Sequence, residues 1–180
     1  MTPRLVLLGV VLLTALLLQA VVAPALAVAG WRPDLVLLTV VALALVDGPA
    51  TGARYGFIAG LAADLLSGGS QVVGITALVF LLVGDGIGRL RPYLSGTGRA
   101  GEVALGGIAG AVAFSAFGGL SLLLDLGQFT ALLLLEGVFA TALWTALLTP
   151  VFSRPLAALA RRHPVADGAT ATTGAAARPW

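Results

Sequence analysis

Apolar runs follow one another along most of this chain, and that pattern constrains its fold more than any single residue does. They cover residues 5–28, 35–46, 55–66, 72–87, 103–124 and 129–152, separated by short polar, Gly- and Pro-bearing segments. A helix needs about 20 apolar residues to cross a hydrocarbon core of about 30 Å. Of the 180 residues, 59% are hydrophobic and 10% charged, with a mean hydropathy of +1.05. A water-facing domain carries roughly a quarter of its residues as charged side chains. A soluble enzyme is therefore excluded, and the expectation is an all-α polytopic integral membrane protein in the lipid bilayer.

Charge placement sets the number of crossings. Six spans, over residues 5–28, 33–47, 50–67, 71–91, 101–124 and 128–152, put Arg4, Arg54, Arg89, Arg91, Arg99, Arg154, Arg161, Arg162 and Arg178 on one side. Only Arg32 falls on the other. Positive charge stays cytoplasmic, so both termini are expected inside. Reading residues 35–66 as one crossing gives a worse parity. It would also bury Asp47 and Arg54 in mid-membrane at about 2.5–3.5 kcal/mol each. The second and third runs are short, since 12–15 residues make only about 20 Å of helix. Two short spans, with local bilayer thinning, or a re-entrant hairpin fit the charges equally well. Residues 163–180, an Ala/Thr/Gly tail, are expected to be disordered and cytoplasmic.

The amino-terminal run also has the marks of a signal peptide, with Arg4 before it and Ala25-Leu26-Ala27 as a cleavage sequence. It is longer than the usual apolar region of about 7–15 residues. Retention as the first span is the expectation.

Glycines recur every fourth residue at Gly48, Gly52, Gly56 and Gly60, and Asp64 continues the series. On a helix they form one stripe, and small residues in lipid let two backbones approach closely. The stripe is either internal packing or a face for a partner helix. The six-span topology also gathers Gln19, Arg32, Asp34, Asp64 and Glu136 in the outer half of the bundle. Ionisable groups there must face protein or water. They either satisfy one another, with Arg32 paired to Asp64 or Glu136, or line an outward pocket or docking site. Asp85 and Arg89 make an ordinary i,i+4 pair. Trp31, Tyr55, Tyr93 and Trp144 fall near span ends, where interfacial aromatics sit. Arg154, Arg161 and Arg162 read as an anchor to anionic headgroups, or as a cytoplasmic partner site.

Catalysis has little footing. The sequence has no cysteine and a single histidine, His163, in the tail. No nucleophile and base pair is visible, and Asp64 and Glu136 lie in no motif that assigns acid and base roles. No metal site, cofactor or nucleic-acid partner is expected. The net charge of +2 reflects arginines held in cytoplasmic loops.

In order, these motifs resemble the MreD family of rod shape-determining membrane proteins. The resemblance is carried by Leu16-Leu17-Leu18-Gln19, by Arg32-Pro33-Asp34-Leu35 and by Gly56-Phe57-Ile58-Ala59-Gly60-Leu61-Ala62-Ala63-Asp64-Leu65-Leu66-Ser67-Gly68, followed by Val73-Gly74. It covers about Arg4 to Arg162, and the last spans match in hydropathy only. It implies a non-enzymatic, multi-pass component of the bacterial plasma (inner) membrane and its cell-elongation machinery, acting with MreC, MreB and the RodA–penicillin-binding-protein peptidoglycan synthase. It also implies a six-helix bundle similar to the S-components of energy-coupling-factor vitamin transporters, whose outward pocket binds substrate. A substrate-binding subunit is thus the alternative to a scaffold. The scaffold expectation places a partner helix, that of MreC, in a groove or a thinned bilayer patch beside the short second and third spans.

Overall fold

The computed structural model describes residues 3–28, 30–67, 72–124 and 130–162. They form six α-helices: α1 (Pro3–Val21), α2 (Leu35–Asp47), α3 (Pro49–Leu66), α4 (Ile75–Leu94), α5 (Arg99–Leu123) and α6 (Ala131–Arg162). Two 3-10 turns, Ala23–Leu26 and Ser95–Thr97, complete the order. Among the described residues there is no strand, only an isolated bridge between Val28 and Trp31. By length and composition two helical segments, Arg99–Leu123 and Leu132–Ala158, are fit to cross a membrane. The expected loops at 68–70 and 125–128, His163 and the 163–180 tail lie outside the described residues.

Helix ends depart from the apolar runs where proline intervenes. The first run reaches residue 28, but α1 stops at Val21 and the chain tightens into the 3-10 turn containing Pro24. Proline lacks the N–H that would continue the ladder, and its ring clashes with the preceding turn. Conversely α6 runs through Pro150 and Pro155 to Arg162, past the apolar run's end at residue 152.

The shortest regular helix lies at the centre. Every α2 residue from Leu35 to Ala44 is buried. Its side chains meet Leu12 of α1, Ala59 of α3, Val79, Phe80, Val83 and Ile87 of α4, and Leu105, Ala109 and Ala113 of α5. Leu148 and Phe152 of α6 close the remaining side, over Leu35 and Leu38. Thirteen residues give about 20 Å of helix. Because α2 is surrounded by protein, its length need not match the thickness of lipid.

Glycine sets the two tightest seams. A Cβ on Gly52 would overlap the backbone of Gly84, one on Gly56 the Phe80 carbonyl, and one on Gly60 the backbone at Thr76 and Ala77. The descending partners show that α3 and α4 are antiparallel. The same holds for α5 and α6, where Gly106 faces Thr149, Gly110 faces Thr145 and Gly118 faces Leu134. Thr145 and Thr149 turn their hydroxyls to the carbonyls of Thr141 and Thr145, four residues back, at 2.6 and 2.5 Å. Each of these two hydroxyls is thereby satisfied within its own helix. Farther along, the Ser153 hydroxyl donates to Glu102 Oε2 at 2.9 Å.

Candidate functional site

The site grows from the way helix ends are closed. The first N–H groups and last C=O groups of any helix lack intrahelical partners, and burial makes them costly to leave bare. Central α2 receives its partners from its own N-cap and from two neighbours. Asp34 Oδ1 accepts the Leu37 N–H at 2.9 Å, and Gln19 Oε1, from α1, accepts the Leu35 N–H at 2.6 Å. Gln19 Nε2 donates to the Pro33 carbonyl at 3.4 Å. At the other end Arg91 of α4 donates to the Val46 carbonyl at 3.0 Å.

Helix α4 is closed from outside as well. Its N-cap position is Gly74, at φ +104°, which has no side chain to offer. The buried Asp64 of α3 supplies the acceptor, with Oδ2 at 2.7 Å from the Gly74 N–H and 3.5 Å from the Ala77 N–H. Negative charge there also complements the positive end of the helix dipole.

At this end of the bundle, where α1, α3 and α5 finish and α2, α4 and α6 begin, lies a cavity of about 600 Å³. Gln19, Arg32 and Asp34 line it, with Thr76 and Thr141. Its apolar wall includes Trp31, Phe80, Phe114 and Phe117. Trp31 and Phe114 meet edge to face, their centroids 5.6 Å apart at 76°. Gly137 of α6 lies directly against that ring pair, and a Cβ there would strike both rings. This volume falls in the range of about 300–1,000 Å³ usual for small-molecule sites.

The five polar residues of the expected cluster thus divide. Gln19, Arg32 and Asp34 share the cavity. Asp64 lies beside it, its carboxylate engaged with the start of α4 rather than with Arg32. Glu136 is exposed on α6, outside the cavity lining. Gly52, Gly56 and Gly60 pack against α4 of the same chain, so that stripe is filled internally. Beside the second and third spans, α2 is enclosed and α3 presents its glycines to α4. Asp85 and Arg89 form their expected pair, at 2.7 Å.

The cavity's aromatic wall carries no distinguishing mark in the sequence. Phe80, Phe114 and Phe117 sit in apolar spans and look like any lipid-facing side chain. Gly84 and Gly88, which meet α3, and Gly106 and Gly110, which meet α6, do carry a mark, the same spacing of four as the stripe on α3.

Among known proteins, no curated protein and no solved structure matches the chain. One family model does, over almost all of the helical bundle. With residues 2–161 matched by the model described as rod shape-determining protein MreD, the chain belongs to the MreD family.

Proposed function

We propose that this chain is a multi-pass scaffold of the cell-elongation machinery, with both termini cytoplasmic, binding MreC and supporting peptidoglycan synthesis by RodA and its penicillin-binding protein alongside MreB. Family membership gives the coarser statement, a membrane protein with a role in determining rod shape. The observation that supports the scaffold is what the buried polar groups do. Gln19, Asp34 and Asp64 each hold backbone N–H groups at helix ends. Such side chains close helix ends and tie neighbouring helices together, which is a structural duty.

The glycine seam of α3 is filled by α4, so MreC docks on another face of the bundle in this reading. Affinity purification of the tagged chain from its native membranes tests it. MreC should come down in amounts comparable to the bait, with MreB and the synthase in smaller amounts. Recovery of folded bait without MreC would refute the scaffold.

One observation favours a second reading, a substrate-binding subunit similar to transporter S-components. The cavity of about 600 Å³ is large enough for a vitamin-sized molecule. A stoichiometric water-soluble molecule retained through the same purification would select this reading.

A further inference from the structure

The cavity has a chemistry of its own that a scaffold does not require. Helix α1 packs chiefly on α2 and on the 3-10 turn that follows it. Leu16 and Ala20 therefore face Phe80, Phe114 and Phe117 across open space rather than a seam. A gap between such apolar walls suits a hydrocarbon chain better than a polar solute.

The polar part of the cavity is one-sided. Arg32 is exposed, and among the described residues no hydrogen bond or ion pair involves its guanidinium. Asp34 interacts with it electrostatically, but that carboxylate is engaged by the N–H groups of Leu37 and Val36 at the positive end of α2. Gln19 is likewise engaged. Beside the hydroxyls of Thr76 and Thr141, the charged group left to bind is a planar fork of N–H donors suited to an oxyanion.

We propose that the cavity binds an anionic amphiphile, with its phosphate or carboxylate head on Arg32 and its hydrocarbon tail along Leu16, Phe80, Phe114 and Phe117. A compact polar solute would leave those walls without a partner, and a hydrocarbon alone would leave the guanidinium unused. The bilayer supplies this chemistry as anionic phospholipid. A soluble phosphate supplies the head without the tail.

Trp31, in the cavity wall, is the reporter. In a Trp144→Phe, Trp180→Phe background it is the sole tryptophan. The full chain is reconstituted in vesicles mixing phosphatidylcholine and phosphatidylglycerol, with brominated chains on one lipid or the other. Bulk lipid quenches both samples alike, so the difference reports the site. Brominated phosphatidylglycerol is expected to win by about tenfold in relative occupancy, the scale of one charge-assisted contact. Arg32→Gln should abolish the preference and Arg32→Lys should retain part of it, while millimolar inorganic phosphate leaves it intact. Equal quenching by the two lipids overturns the proposal, as does a preference that survives in Arg32→Gln. Relief of quenching by inorganic phosphate also overturns it, since the site would then take a free anion and no tail.

Discussion

Asp64 closes the amino end of a helix to which it does not belong. Its Oδ2 accepts the Gly74 N–H at 2.7 Å, across the turn from α3 to α4. A glycine at the N-cap leaves α4 without a cap of its own, and the carboxylate ten residues earlier takes that place. The Gly74 backbone, at φ +104°, suits few residues other than glycine. The two positions are thus coupled: one supplies the turn, the other the acceptor.

Asp64→Ala should therefore destabilise the protein by about 1–3 kcal/mol, the cost of a buried donor left bare. Asp64→Asn keeps an acceptor oxygen and should lose clearly less. Thermal unfolding in detergent, followed by tryptophan fluorescence, gives both values. Equal midpoints for wild type and Asp64→Ala would show that the carboxylate is idle.

The glycine seam between α3 and α4 makes a sharper claim. Gly56→Ala and Gly60→Ala each place a Cβ into the backbone of α4, which cannot yield as a side-chain tip can. Overpacking of this kind costs about 1–3 kcal/mol. Gly86→Ala, on the same helix pair, meets nothing within 4 Å and should be neutral or slightly stabilising. Monodisperse yield on size exclusion separates the two classes. For any Gly56 variant that still folds, MreC recovery per folded molecule should match the wild type, because that face is already filled.

How much of this was legible beforehand depends on what each residue's pattern encodes. Helix number followed from the apolar runs, since hydropathy is a property of each segment alone. The stripe at Gly52, Gly56 and Gly60 was visible from its spacing, but spacing does not name the helix it meets, and α4 proved to be that helix. The six-span topology alone gathers Gln19, Arg32, Asp34, Asp64 and Glu136 at one end of the bundle. Their depth in the bundle was readable; their direction was not. Asp64 and Glu136 are both carboxylates near one end of a helix, yet one is buried under a glycine turn and the other is exposed. The short run of α2 reads as a short span or half of a re-entrant hairpin and is the enclosed core, because burial depends on neighbours the run itself does not specify.

Between α5 and α6, Gly106→Ala and Gly110→Ala should also destabilise, through contact with the Thr149 and Thr145 side chains and the carbonyls behind them. Gly107, one position along, has only ordinary contact with Ala146 at 3.5 Å. Gly107→Ala should leave the unfolding midpoint within about 0.5 kcal/mol of wild type. A Gly107→Ala loss as large as that of Gly106→Ala would place the seam on a different face of α5.

Gln19 is the polar tie between α1 and the start of α2, through both its oxygen and its nitrogen. Gln19→Leu preserves bulk but removes the acceptor for the Leu35 N–H. A cost of about 1–3 kcal/mol follows from the bared donor. Loosening should concentrate on α1, so hydrogen exchange should rise along Pro3–Val21 and in the first turn of α2 while α5 and α6 keep their protection. Uniform acceleration over all helices would mean that Gln19 acts on the whole bundle instead.

Sidedness rests on the arginines, and the absence of native cysteine makes it directly measurable. Thr130 stands before α6 at the cavity end, and Thr97 lies in the 3-10 turn between α4 and α5 at the opposite end. Helix α5 has 25 residues, about 37 Å of helix, enough to set its two ends on opposite sides of a core of about 30 Å. With Arg89, Arg91 and Arg99 near Thr97, that end is expected in the cytosol. A membrane-impermeant maleimide applied to intact cells should label Thr130→Cys and spare Thr97→Cys, and permeabilisation should expose both. The opposite labelling would turn the molecule over and place the cavity, with Arg32 at its mouth, in the inner leaflet. Labelling of both from outside would mean that α5 does not cross.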